Sequence, residues 1–441
     1  MTTYRMMRSV GFTATLIFTL LMSTFANAID IQEVKTKGGL NALLVEDYTL
    51  PIIAVSFSFE GGTSQDVEGK EGTVRLLSAL LDEGAGEFDS SAYRARLEEL
   101  GISIGFSAGS DRFSGSMRTI REDSEVAFEM LRLALNEPRF DGDAIERMRD
   151  AIRTSIVRAK ADPSAIAGVK LRETLFNTHP YASPSQGTEA SLGAITRDDI
   201  AAMHSNIFAA GNVTIGVVGA ISADELSALL EKTFGPLPRE ANLKEVPKVE
   251  PRLGMVENVD MTVPNASISL VYKGLSRDDP DFFAAHLMNH ILGGGTFSSR
   301  LYREVREKRG LAYGVSSSIV TRANTNYLIA GTSTRAENQE EALSVIKEEF
   351  AKMAAEGVTQ DELDQAKKYV SGSYAINNLD TSGKIARVLV ALQTENLGID
   401  YINTRVKQIE AVTVEDVNRM ARKLLTVDPT VVTLGPAKEQ N

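Results

Sequence analysis

Arg306 and Tyr313, seven residues apart in GGGTFSSRLYREVREKRGLAYG (293–314), have the side-chain types needed to hold a peptide carbonyl or a developing oxyanion. A guanidinium stays charged and presents a fork of donors, and a phenol offers one directed O–H. Just upstream, Gly293, Gly294 and Gly295 carry no side chains, which allows a backbone or a substrate to come close. From spacing alone, a basic surface helix followed by a half-buried tyrosine is an equal alternative.

The elements that must position this pair follow from the same stretch. Ser298 or Ser299 is suited to cap a helix that runs to about Arg309, and Gly310 ends it. Tyr302, Arg306 and Arg309 then share one face at i, i+4, i+7, Leu301 and Val305 form the apolar stripe, and Glu304 can pair with Lys308. Leu311–Val320 reads as a strand, so Tyr313 is expected to return beside Arg306 across the turn.

A second chemical candidate is His286-Leu287-Met288-Asn289-His290, two histidines one helical turn apart. An amide at position 289 cannot act as a base, and two histidines lack the third protein ligand that zinc sites use. His290 is therefore read as a structural residue at a helix end, with a self-sufficient metal site at His286 and His290 as the competing reading. His179 and His204 stand alone in sequence, and His179 falls in a loop.

The chain of 441 residues is 43% hydrophobic, enough for two or more cores. Residues 1–28 read as a secretory leader: Arg5 and Arg8 precede the apolar run Val10 to Met22, and Ala26-Asn27-Ala28 suits cleavage before Ile29. That run is shorter than the roughly 20 residues that cross a bilayer, so no stable membrane anchor is expected. With no cysteine, the mature chain uses neither disulfides nor a lipidated cysteine, which suits a soluble periplasmic protein. Loss of Arg5 and Arg8, in a segment without acids, moves the formal charge from -12 to -14 and disfavours nucleic acid as a partner.

The mature sequence is written twice. Ile52 to Phe59 leads through a polar turn into an apolar helix and a glycine-rich exit, and so does Ser267 to Tyr272. Phe140 to Ala161 matches Gly357 to Ile376 as an acid-capped helix. AITRDDIAAMHSNIFAAGNVTIGVVG, from Ala194, matches AVTVEDVNRMARKLLTVDPTVVTLG, from Ala411: a Thr cap, an amphipathic helix and a short β-branched strand. The result is an α+β fold of two homologous domains, residues 29–234 and 261–441. The proline-rich, charged stretch 235–260 is the expected linker.

The doubled pattern, the linker, EGGTSQDVEGKEG, NTHPYASPSQGTEASLGAIT, NHILGGGTFSSRL and SRLYREVREKRGLAYG together resemble the insulinase and pitrilysin peptidases, the inverzincins, in their short processing-peptidase-like form. The resemblance covers Ile29 to Asn441 and implies two mostly antiparallel sheets packed with helices and closed as a clamp. It also implies that Arg306 and Tyr313 face an active-site metal and hold the scissile peptide. Competent members carry H-x-x-E-H on the first helix. At those positions this chain has Arg75, Ser78 and Ala79, none of which can serve as ligand or base. The third ligand, a glutamate, is expected near Arg153 to Ser155, where there is no carboxylate. No metal or cofactor is therefore expected in this chain.

The implied function is that of a non-catalytic subunit in a heterodimeric periplasmic zinc peptidase acting on short or unfolded peptides. The partner, an H-x-x-E-H-bearing paralogue, would supply the zinc. The alternative is a catalytically silent scaffold or peptide-binding protein of the same fold. Arg75, on the helix expected to line the cleft, is expected to pair with Glu71, one turn away, with peptide binding as the alternative.

Overall fold

The structure is a computed structural model that describes residues 29–436, so the segment expected to be a leader lies outside the described residues. Strands β1 (Gln32–Lys35), β2 (Asn41–Glu46) and β3 (Ile52–Glu60) open the first half. IIAVSFSFE puts apolar or small residues on both faces of β3, which is buried along nearly its whole length at the heart of a sheet. Helix α1 (Thr73–Ser78), the two-residue strands β4 (Gly84–Ala85) and β5 (Phe88–Asp89), and α2 (Ser90–Glu99) lead to β6 (Ser103–Ala108) and β7 (Arg112–Ile120). Five helices follow: α3 (Ser124–Asn136), α4 (Gly142–Ala159), α5 (Pro163–Phe176), α6 (Glu189–Ala194) and α7 (Arg197–Ile207). Strand β8 (Val213–Gly219) and α8 (Ala223–Phe234) complete the half.

The second half repeats this plan with β9 (Val256–Asp260), β10 (Asn265–Lys273), α9 (Phe282–Asn289), β11 (Ala312–Thr321) and β12 (Asn326–Arg335). It closes with α10 (Gln339–Glu356), α11 (Gln360–Asn378), α12 (Ser382–Thr394), α13 (Tyr401–Ala411), α14 (Val414–Leu425) and β13 (Thr430–Gly435). The first sheet has the order β1-β2-β8-β3-β7-β6 and the second β9-β13-β10-β12-β11. Beyond the extra β1, the orders coincide strand for strand, with β2/β8 and β9/β13 the parallel pairs and all others antiparallel. The fold is α+β with two mostly antiparallel sheets, as the duplicated sequence implies.

The caps repeat as well. Thr196 with Asp199 and Thr413 with Asp416 form reciprocal capping boxes at α7 and α14. The other expected pair differs from the sequence reading. At α11 the cap is Thr359 with Glu362, while Asp141 before α4 makes no cap bond and its carboxylate accepts from Arg139 Nε instead.

Within the stretch read as a linker, Val256–Asp260 is an edge strand of the second sheet, too polar in sequence (VENVD) to stand out. The remainder is pinned to both halves. Lys244 Nζ donates to the Asp66 carbonyl, and the Val249 and Arg252 amides donate to the Asn324 and Leu175 carbonyls.

The halves also exchange helices. Helix α12, from the second half, lies across the first sheet, where Gln393 Nε2 donates to the Ile215 carbonyl at 2.9 Å, and Leu43 and Val218 join the second half's apolar core. Helix α5, from the first half, packs on the second sheet, burying Leu171, Leu175 and Phe176 against Val271, Tyr327 and Val432. Each sheet thus depends on the other half for cover. Among the described residues no helix is long and apolar enough to cross a membrane.

Candidate functional site

Helix α9 stops at Asn289 because the chain widens into a π turn at His290–Gly294, and a second π turn spans Tyr302–Glu307. The duplicate shows what the second turn does. In α2 the buried residues Tyr93 and Leu97 are followed by Gly101 four residues on; in the copy, buried Leu301 and Val305 are followed by Gly310 five residues on. One residue has been inserted, and a π turn absorbs such an insertion.

Ser299 caps the segment, its Oγ accepting from the Tyr302 amide at 3.4 Å. Glu304 binds Lys308 at 2.8 Å, as the sequence suggests, and also Arg309 at 2.9 Å. Its carboxyl is held down at about 2, chiefly by the Lys308 bond. Arg309 therefore turns to Glu304 and does not share the face of Arg306. Arg306 is exposed, its guanidinium 5.0 Å above the ring of buried Tyr302, which meets Phe297 edge-on at 5.1 Å.

Strand β11 is irregular at the tyrosine. Ala312 faces Thr334 but Val315 faces Thr332, so Tyr313 and Gly314 stand opposite a single residue, a β-bulge secured by a 2.6 Å bond from Thr332 Oγ1 to the Gly314 carbonyl. Both bulge residues point outward, leaving Tyr313 87% exposed. The half-buried tyrosine of the alternative reading is not what forms. Nor do Arg306 and Tyr313 touch: the two donors are both displayed to solvent without joining in a bonded pair.

Of the three glycines, Gly293 and Gly295 are buried, and a Cβ on Gly293 would lie 2.4 Å from Ser317 Oγ. Their lack of side chains serves close packing against β11 and His290. Gly294 alone faces solvent.

At the degenerate motif, α1 ends at Ser78 with Ala79 as its C-cap. Arg75 Nη1 donates to Ser78 Oγ at 3.1 Å, and Ser78 Oγ donates to the Arg75 carbonyl at 2.8 Å. The expected Arg75–Glu71 pair is absent, because the Glu71 carboxylate accepts from the Gly69 amide. The group that starts this helix is Asp66, whose carboxylate accepts from the Gly72 and Val74 amides; burial pushes it up to about 6. On α4, which packs against α1, Arg153 pairs with Asp150 and Thr154 Oγ1 donates to the Asp150 carbonyl. A cation, a hydroxyl and a methyl group do not fit zinc. Among the described residues no group of three or more His, Cys, Asp or Glu is placed to hold a metal.

The second-half histidines face the wrong company for a cation. His286 stacks on Phe282 and is pushed down to about 4 by burial and then by His290, Arg405 and Arg277. His290 is buried and stacks on Tyr369, its centroid 5.0 Å away.

A cleft of about 1430 Å³ lies elsewhere, walled by both halves and the linker. None of Arg306, Tyr313, Arg75, Ser78 or Ala79 lines it. At one end Asp111, in the β6–β7 turn, accepts from the Tyr181 hydroxyl and the Ala323 amide, tying the halves together. His179 supports Tyr181, accepting from its amide at 3.2 Å while the other ring nitrogen meets the Pro247 carbonyl at 3.0 Å. Sequence reading passed over these residues, since their partners are distant in the chain and only the THPYASP motif marked the place.

Residues 194–370 match the family described as Peptidase M16 inactive domain. A crystal structure of a peptidase M16 inactive domain from Pseudomonas fluorescens superposes with a TM-score of 0.87 at 32% identity, covering 93% of this chain and 99% of that one. The non-peptidase homolog YmxG of Helicobacter pylori is 24% identical over 415 residues, covering 92% of this chain and 94% of its own length. The uncharacterized zinc protease YmxG of Bacillus subtilis is 22% identical over 409 residues, covering 92% and 98%.

Proposed function

Because this chain belongs to the M16 peptidase family as a non-catalytic member, we propose that it is the substrate-gripping subunit of a heterodimeric periplasmic zinc peptidase. The partner is an H-x-x-E-H-bearing paralogue, and zinc and general base both reside there. The partner's zinc would polarise the scissile carbonyl and activate water. This chain's part is to bind and orient the peptide: Arg306 and Tyr313 donate to its carbonyls from across the shared chamber.

One observation carries the reading. A π turn and a β-bulge, each a local departure from regular geometry, leave the Arg306 and Tyr313 side chains exposed with no hydrogen-bonding partner among the described residues. Both irregularities are of the sort that gathers at functional sites. A scaffold has no use for either donor. Substrates are short or unfolded peptides, since a closed chamber admits extended chains more readily than folded domains.

The test is co-purification with the tagged chain from its native cell, followed by assay of the reconstituted pair with Arg306→Ala and Tyr313→Phe combined. Loss of one oxyanion-type donor costs about 10²–10³ in kcat, so at least that loss with assembly intact is expected. Unchanged activity leaves the chain a silent scaffold.

A further inference from the structure

We propose that Arg172 and Arg322, with Thr325 and Asn326, form a subsite at the end of the cleft that receives the C-terminal residue of a bound peptide. The inference rests on the reading above that this chain grips extended peptides, and it names the part of the peptide held.

Arg322, Thr325 and Asn326 lie at the β11–β12 turn and line the cleft. The Arg322 guanidinium lies 5.0 Å above the Tyr181 ring and forms no ion pair among the described residues. Asp111 is close by, but its two oxygens already accept from Tyr181 and Ala323. Arg172, on α5 one turn before Phe176, likewise has no ion pair, and its Nε is buried without a partner. Burial and then the repulsion of Arg322 push its pKa down, offset in part by Tyr327 and Glu173. Two guanidiniums in mutual repulsion, neither in an ion pair among the described residues, call for an anion.

The polar atoms around them fix which anion. Thr325 is only 4% exposed, and its Oγ1 has no hydrogen-bond partner. Asn326 Oδ1 is also buried and unpartnered; with Arg172 Nε these make three of the seven such atoms among the described residues, Thr325 and Asn326 on the cleft wall and Arg172 within electrostatic reach of Arg322 and Tyr327. A bare carboxylate such as acetate would satisfy the donors and leave the Asn326 acceptor unmet. A C-terminal residue satisfies both: its carboxylate accepts from the two guanidiniums and the Thr325 hydroxyl, and its amide N–H donates to Asn326 Oδ1. The cleft leading away from this point has room for the rest of an extended chain.

The experiment is calorimetric titration of the mature chain with one unstructured decapeptide, made with a free C-terminal carboxylate and with a C-terminal amide. Charge-assisted bonds are strong enough that the acid form is expected to bind about tenfold tighter or more. Arg322→Gln and Arg172→Gln should each shrink that ratio towards one, Arg322→Lys should restore part of it, and Thr325→Val, which keeps the shape, should cost a smaller part. Equal binding of acid and amide by the native chain overturns the subsite while leaving peptide gripping intact. A preference for the acid that survives both glutamine variants places the carboxylate elsewhere and also overturns it. If neither peptide binds, the subsite falls together with the gripping role of the isolated chain.

Discussion

Replacing Gly216 with alanine tests how firmly the two halves are joined. Gly216 lies on β8 under α12, and an added Cβ would stand 2.4 Å from the Ala386 carbonyl oxygen and 2.7 Å from Leu389 Cβ. Ordinary contact begins near 3.4 Å, so the helix must withdraw by about 1 Å. Its obstacles are a backbone carbonyl and a Cβ, neither of which can swing aside as a long side chain would. Overpacking of this kind costs about 1–3 kcal/mol, and for a chain of this size that lowers Tm by ~1–4 °C. Gly105→Ala is the control, because its nearest neighbour, Ser116 Oγ, is 4.0 Å away. Calorimetric unfolding of the mature chain should show one cooperative transition that shifts down in Gly216→Ala and moves little in Gly105→Ala. Equal stability of the two variants, or two separate transitions in the parent, would refute the argument that α12 binds the halves into one unit.

Glu83 is 3% exposed and binds Arg94 and Arg147, the latter at 3.0 Å, with Ser90 donating at 2.6 Å. Arg94 and Arg147 are 54% and 46% exposed and can rehydrate, so Glu83→Ala should cost about 1–3 kcal/mol, below the 3–5 of a fully buried pair; denaturant titration measures it. His286, pushed down to about 4 from 6.5, binds fewer protons folded than unfolded between those values. Stability should therefore decline as pH falls through that window, by roughly 1–3 kcal/mol. His286→Phe, which keeps the ring stack on Phe282, should flatten this limb of the unfolding midpoint against pH. Zinc added to the isolated chain should leave Tm unchanged, and a rise lost in a His290→Gln variant would restore the second-half histidines as a metal site.

The sequence made the architecture readable wherever a local pattern repeats. IIAVSFSFE and ASISLVYK announce equivalent central strands, and the Thr-x-x-Asp boxes at Thr196 and Thr413 announce equivalent helices, because capping and a short apolar, β-branched run are local features of the chain. The identity of strand orders followed from that duplication. Less was legible where the cause lies far away. Nothing in VENVD reveals that β13 will pair with it, and nothing in SGKIARVLVALQT says that its apolar face covers the other half's sheet. The candidate site falls between these cases. Arg306 and Tyr313 could be singled out by type, but the extra residue before Gly310 and the bulge at Gly314 displace them from the regular helix and strand that spacing assumes. Arg75 chose Ser78 over Glu71 because the Gly69 amide already holds that carboxylate.

Strand β13 occupies a central place in the second sheet, between β10 and β9, yet among the described residues it is the last strand in chain order. A ribosome delivering this chain has already released β9 to β12 before the six buried residues Thr430–Gly435 exist to fill the gap between them. Until then two strand edges face each other unpaired, a template for pairing with other chains. A product cut short by even a dozen residues before position 436 would lack that strand and keep both edges open. Synthesis through Gly435 is therefore a condition of solubility for the whole second half, and termination before it should yield aggregates or proteolytic fragments rather than a shortened working protein.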